Sequence, residues 1–275
     1  MTVLDEIIVG VKEDLQERIQ NVSLAEMITR AKQRPPALDI RKHFASGNFG
    51  VIAEVKRSSP SKGALAAIAD PADLARQYQE GGACAISVLT EGRRFNGSLA
   101  DLEAVRAAVT IPVLRKEFII DVYQIYEARA YGADIILLIV AALSDDELME
   151  FSALTHELGM RTLIEVHDAL ELSRVTSISK AGRLDIDLLG INARNLKTLE
   201  MDPTIFAKLA PEVPSSIPLI AESGISSDSE VGALATQGAD GVLVGEALVK
   251  DGQPAATIQT FLHRAQSMRV RRLSP

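Results

Sequence analysis

The chain has 275 residues, 47% of them hydrophobic and 24% charged, an ordinary globular composition at a length that buries about three quarters of the unfolded surface. Lysine and arginine number 29 against 37 aspartate and glutamate, a formal net charge of −8. With 4% aromatic residues and no tryptophan, it lacks the basic face and stacking platforms of a nucleic-acid binder. A single cysteine, Cys84, excludes an internal disulfide framework and a cysteine metal cluster. The longest apolar run, residues 135–143, is nine residues, about half a membrane span. The first residues, MTVLDEIIVG, are acidic where an export signal is basic, so a reduced, cytoplasmic protein is expected. The one dense basic run, Arg269, Arg271 and Arg272, reads as a solvated tail.

In chain order, residues 3–19 and 24–32 read as helices within an N-terminal helical extension, residues 1–45, expected to pack on one mouth of the domain. Eight short aliphatic runs follow, at 50–55, 84–89, 112–114, 135–140, 162–166, 188–191, 218–221 and 241–244. Most are continuous rather than alternating, as parallel strands covered on both faces are. Amphipathic windows separate them, opened by Asp70-Pro71, Ser98, Asp121, the capping box Ser144–Glu147 and Ser227–Glu230. Three windows close on the repeated Gly82-Ala83, Gly132-Ala133 and Gly238-Ala239, glycine standing where a left-handed turn redirects the chain. Strand–helix units spaced by about 20–35 residues predict an α/β fold, a (β/α)8 TIM barrel. An open doubly wound sheet is the alternative, but no Gly-x-Gly-x-x-Gly follows a strand. Without a Pro-, Gly- or Ser-rich linker, residues 1–275 read as one domain.

In such barrels the chemistry sits where strands end and βα loops begin. Glu54 and Lys56, two apart, face the same side of the first strand. One such pair alone reads as a structural ion pair, but Lys116, Glu165, Asn192 and Glu222 repeat the pattern from four other strands. Carboxylates and two lysines converging on one cavity make a general acid–base site. Ser223-Gly224 and Gly245-Glu246 end the last two strands just before helices, the usual position of a phosphate site in these barrels. The four histidines are scattered, only His167 lying near a strand end, so no metal is expected. Cys84, at the start of the second strand, reads as a small buried filler. Arg93-Arg94-Phe95 reads equally as a solvated loop tip or as a cover over a ligand.

Six segments then become specific: 52–63 (IAEVKRSSPSKG), 87–97 (SVLTEGRRFNG), 114–118 (LRKEF), 163–167 (LIEVH), 190–196 (GINARNL) and 220–225 (IAESGI). In this order they resemble the indole-3-glycerol phosphate synthase family, over residues 3–250. The resemblance implies a (β/α)8 enzyme of tryptophan biosynthesis that uses no metal or organic cofactor. Its substrate, the small phosphorylated molecule 1-(2-carboxyphenylamino)-1-deoxyribulose 5-phosphate, becomes indole-3-glycerol phosphate, CO2 and water. It implies catalytic roles for Glu54, Lys56, Lys116, Glu165, Asn192 and Ser223, and a phosphate site from Ser59, Ser223, Gly224, Gly245 and Glu246. Arg194 is expected near the substrate carboxylate, Phe95 and Phe118 around the aromatic ring, and Glu222 in the substrate-binding set. Lys116 is assigned as first acid, Lys56 with Glu54 as the second acid–base unit, and Glu165 as electrostatic stabiliser. Position 117 is Glu where the family more often has Asp, and 193 is Ala where Asn is common.

A monofunctional enzyme is expected, a monomer or weak dimer that binds neither membrane nor nucleic acid. The rivals are a Schiff-base aldolase acting through Lys116, an isomerase, for which Cys84 stands at the wrong strand end, and a silent sugar-phosphate sensor, which would lack the acid–base residues present here.

Overall fold

Runs of valine, leucine and isoleucine with few polar interruptions form strands that bury both faces. The computed structural model describes residues 2–59, 63–64, 68–250 and 252–269, with Ser59 and Ala64 described through their backbones only. The strands are β1 (Gly50–Val55), β2 (Ala85–Leu89), β3 (Val113–Lys116), β4 (Ile135–Ile139), β5 (Arg161–Val166), β6 (Leu188–Asn192), β7 (Leu219–Glu222) and β8 (Gly241–Val244). They pair in sequence order, all parallel, and β8 closes on β1, from Gly50 opposite Gly241 to Ala53 opposite Val244. The expected eight-stranded barrel is therefore present.

The helices are α1 (Val3–Asn21), α2 (Leu24–Lys32), α3 (Arg41–Ala45), α4 (Pro71–Glu80), α5 (Leu99–Ala108), α6 (Val122–Ala130), α7 (Asp145–Glu157), α8 (Ala169–Lys180), α9 (Ile205–Leu209), α10 (Asp228–Thr236), α11 (Glu246–Val249) and α12 (Pro254–Met268). Asp70, Ser98, Asp121, Ser144 and Ser227 each cap the helix they were expected to open, each side chain accepting a backbone N–H of the first turn. Gly82, Gly132 and Gly238 turn at φ 95°, 92° and 95°, which a side chain would resist.

The period-two pattern sorts the strand residues into two cores. Val51, Ala53, Ile86, Val88, Val113, Ile136, Ile164, Leu189 and Val242 pack against the helices. Ile52, Leu114, Leu137, Leu163, Leu188, Ile220 and Leu243 fill the interior. Arg115 points outward, bonded to Glu127 at 2.8 Å, while Lys116 continues the inward row after Leu114.

The N-terminal extension reaches both ends of the barrel instead of one mouth. Leu4, Ile7 and Val11 of α1 join the interior cluster beside Phe118 at the end where the strands finish. Tyr123 of α6 packs on Leu15 and Met27 and donates its hydroxyl to Val22 O at 3.0 Å. Ile40 and Phe44, in and beside α3, pack with Cys84 and Ala85 where β2 starts, and Leu38 N–H donates to Asp134 at 2.8 Å. β3 runs on to Lys116, two residues past the aliphatic run at 112–114. One further expectation is corrected. Arg269 is not a loose tail: it bonds Asp240 at 2.5 Å and Gly47 O at 2.6 Å, while Arg271 and Arg272 lie outside the described residues.

Candidate active site

Strand ends and βα loops enclose a cavity of about 520 Å³. Glu54, Lys56, Phe95, Lys116, Phe118, Glu165, Asn192, Arg194, Ser223, Gly224, Gly245 and Glu246 all line it. Twelve of the residues expected at a site, Lys56 among them, thus gather in one place. Glu222 lies underneath, its side chain wholly buried and reaching up to Lys116. The side chain of Ser59 lies outside what is described; its backbone pairs with Gly63 in a two-residue ribbon.

The centre of the cluster is the Lys116 ammonium. Its Nζ is 2.6 Å from Glu222 Oε2, 3.7 Å from Glu54 Oε2 and 3.8 Å from Glu165 Oε2. Glu54 also meets Lys56 Nζ at 2.5 Å. Two ammonium groups thus sit among three carboxylates from three strands, all within a low-dielectric barrel where each is costly alone. Burial works to discharge Lys116, but Glu222, Glu54 and Glu165 outweigh it and hold its ammonium above the ordinary lysine range. For Glu54, Lys56 and Lys116 likewise overcome burial and keep the carboxyl low. Burial pushes Glu222 up, further aided by the charge of Glu165, whereas His167 and Lys116 overcome burial at Glu165 and hold it down. These two neighbouring carboxyl groups are thereby driven apart, one toward the acid and one toward the anion.

The cavity walls are ordered by buried polar contacts. Phe95 and Phe118 face one another with centroids 6.2 Å apart and planes at 40°. The Phe118 N–H donates to Glu117, which also accepts the Thr90 hydroxyl at 2.7 Å. Glu91 is buried and accepts the backbone N–H groups of Arg93, Arg94 and Phe95 at 3.0, 2.7 and 2.9 Å. Arg93 pairs with Glu13 and Asp14, and Arg94 with Glu6. The two arginines, although exposed, fasten the loop to α1, whose Ile7 reaches the cavity wall beside Phe95 of the same stretch.

At the opposite wall Asn192 accepts the Arg194 N–H at 2.9 Å, leaving its NH2 for another partner. Ser223 and Gly224 both adopt positive φ, 65° and 73°, a conformation rare for serine. The chain bends sharply there and lines the cavity with Ser226, Gly245 and exposed Lys250. α11 is a single turn, so any anion affinity here rests on these turns and cations more than on a helix dipole.

Several residues that matter to this geometry were given no role in the sequence reading. His167 stands two residues beyond Glu165, and the strand alternation places it on the same side. Gly190 belongs to a recognised segment, but its reason is spatial: a Cβ there would lie 2.1 Å from Glu222 Oε1. Glu91 is legible only through partners two to four residues along. Among the described residues no group of three or more His, Cys, Asp and Glu side chains is arranged to hold a metal ion.

Fold and cluster together define the class: a (β/α)8 barrel with a lysine–carboxylate centre where its strands end. Residues 4–261 match the family described as indole-3-glycerol phosphate synthase. A protein of that name from Paenarthrobacter aurescens (strain TC1) is 54% identical over 266 residues, 95% of this chain and 96% of its own. Its namesake from Mycolicibacterium smegmatis is 54% identical over 94% of this chain and 92% of its own. The one from Nocardioides sp. is 53% identical over 94% and 97%. The chain belongs to the indole-3-glycerol phosphate synthase family.

Proposed function

We propose that this chain is a carboxy-lyase that closes the indole ring of 1-(2-carboxyphenylamino)-1-deoxyribulose 5-phosphate, releasing CO2 and water. One observation carries the reading: a single ammonium, Lys116, faces carboxylates from three other strands beneath a cavity with an aromatic pair on its wall. That is what the ring closure requires. The aromatic carbon bearing the carboxylate attacks the C2 carbonyl, and the Lys116 ammonium donates its proton to the forming alkoxide while its charge stabilises it. Departure of CO2 returns an electron pair to the ring. The C2 hydroxyl then leaves as water with a proton from an acid, while a base removes a proton from the adjoining carbon. Lys56 with Glu54, 2.5 Å apart, supplies that second unit, and the Glu165 anion stabilises positive charge at the ring nitrogen. These steps form one carbon–carbon bond, break another with loss of CO2 and break one carbon–oxygen bond with loss of water, with no net redox change, so they need no metal or organic cofactor.

Phe95 and Phe118 would hold the anthranilate ring, Arg194 its carboxylate, and Ser59 with the turns at Ser223-Gly224 and Gly245-Glu246 the phosphate. Asn192, through its NH2, would hold a substrate hydroxyl. We read residues 1–275 as one domain, because α1 packs into the barrel's own interior cluster. A cytoplasmic monomer or weak dimer suits this reading, and no helix among the described residues is long and apolar enough to cross a membrane.

A Schiff-base aldolase acting through Lys116 fits less well. Its lysine must lose its proton to attack a carbonyl, and the carboxylates around Lys116 oppose that loss. The test is to mix the protein with the carboxyphenylamino-deoxyribulose phosphate in EDTA and follow indole fluorescence. A rise that vanishes in Lys116→Ala supports the synthase. No rise, with Lys116 trapped by borohydride, would establish the aldolase instead. The lysine assignment fails if Lys56→Met and Lys116→Met accumulate the same intermediate.

A further inference from the structure

His167 ends the β5 row just past Glu165, with its side chain almost fully buried. Its Nδ1 is 3.0 Å from Glu171 Oε2, and its backbone N–H donates to that same oxygen at 2.8 Å. Its Nε2 is 3.1 Å from Glu165 Oε1, too far off line for an ideal hydrogen bond. Both ring nitrogens therefore face carboxylates, and only a doubly protonated imidazole offers each a donor. Glu171 is fixed from two sides: its backbone N–H donates to the α8 cap Asp168 at 2.9 Å, and Lys197 Nζ lies 3.8 Å from its Oε1. On the cavity side, Glu165 faces Lys116 from β3, Glu222 from β7 and Glu54 from β1. Glu222 has Lys116 at 2.6 Å, while His167 touches Glu165 and not Glu222.

We propose that His167, held by Glu171, is a positioning residue: as an imidazolium against Glu165, it keeps Glu165 the anion and leaves any shared proton to Glu222. The asymmetry between the two carboxyl groups then comes from outside the cavity, through a side chain that meets no substrate. Burial opposes charge on His167, but Glu165 and Glu171 outweigh it and raise the ring to about 10, so the imidazolium persists through neutral pH. The inference rests on the charge-stabilising role proposed above for the Glu165 anion.

The test compares pH profiles of kcat/KM, with indole fluorescence as the readout, for the wild type, His167→Asn, Glu171→Gln and Glu165→Gln. Asparagine keeps a donor near the Nδ1 position, toward Glu171, and withdraws the group facing Glu165. Glutamine at 171 keeps an acceptor for the His167 backbone N–H and removes the charge that sustains the imidazolium. In both variants the acidic limb is expected to move up by about 1–2 pH units, the range an opposite charge at this distance produces. The maximal kcat is expected to fall ~10-fold or more, as partial loss of a charge-stabilising group does, with KM nearly constant. Melting temperature reports folding, and Glu171→Gln carries the test if His167→Asn does not fold. A lowered rate with an unmoved limb in both variants would make His167 a packing residue and overturn the proposal. Wild-type activity in Glu165→Gln would overturn the charge-stabilising role of Glu165 itself, and the proposal with it. An inactive Glu165→Gln beside an unmoved limb would overturn the proposal alone.

Discussion

Substituting Gly190→Ala puts the cluster under direct steric load. The new Cβ would stand 2.1 Å from Glu222 Oε1 and 3.4 Å from Leu163 Cδ1. Carbon and oxygen need about 3.2 Å, so the carboxylate must retreat by about 1 Å, in an interior packed too tightly to yield freely. Glu222 is the closest partner of Lys116, at 2.6 Å, and the ammonium follows it or loses it. A displacement of about 1 Å at a reacting group costs on the order of 10²-fold in rate, and overpacking costs about 1–3 kcal/mol of stability. Steady-state indole fluorescence gives kcat, and urea unfolding gives the stability. The overlap also has a partial remedy. Glu222→Asp withdraws the carboxylate by one methylene, so in the G190A background it should cost less stability than in the wild type, with a coupling of about 0.5–3 kcal/mol. Wild-type kcat and stability in G190A, or strictly additive effects in the double variant, would refute the steric argument.

Three other outcomes follow from the geometry. Asp134 accepts from Leu38 N–H, Val113 N–H and Arg106, at 2.8, 2.9 and 2.5 Å, on the side of the barrel away from the cavity. Asp134→Ala should therefore cost about 2–4 kcal/mol in urea unfolding, by leaving buried donors unpaired, with kcat unchanged at 25 °C. Glu91→Gln turns an amide NH2 or a lone carbonyl toward three N–H donors that steer Phe95; KM should rise ~10-fold for about one lost hydrogen bond, against a smaller change in kcat. His167, raised from 6.5 to about 10, stabilises the fold fully below its unfolded value, and that stabilisation drains as pH climbs toward 10. Unfolding free energies at pH 7 and pH 10 should therefore differ more in the wild type than in His167→Asn, and equal differences would contradict a charged His167.

What the sequence made legible follows from locality. The barrel announces itself through continuous aliphatic runs, caps such as Ser144–Glu147 and glycines such as Gly132, each set by neighbours a few residues away. The inward row of Glu54, Lys116, Glu165 and Asn192 was equally readable, because strand alternation and strand order place all four at one end. What stayed hidden depends on distant partners. Arg93 is explained only by Glu13 and Asp14, some 80 residues earlier. Gly190 is explained only by Glu222 on the adjacent strand, and the depth of Glu222 only by the Lys116 above it. The short helices α3 and α9 were also missed, since neither has a side-chain cap and each is five residues long. α12 has no side-chain cap either, and Pro254 is its only opening mark.

The extension at the N-terminus bears on how such a chemistry can be inherited. Its first helix supplies Ile7 to the cavity wall, its second clasps α6, and the stretch through Ile40 and Phe44 covers the far end of the barrel. The reaction chamber is therefore not the property of eight interchangeable strand–loop units. A recombination that swapped half-barrels between relatives would carry the lysines and carboxylates with their strands. It would leave one wall to a segment encoded elsewhere, fastened through Glu6, Glu13 and Asp14 to the loop after β2. Exchange is then easiest where that loop and that helix travel together, and roughly the first third of the chain becomes the unit that a transplant must keep intact.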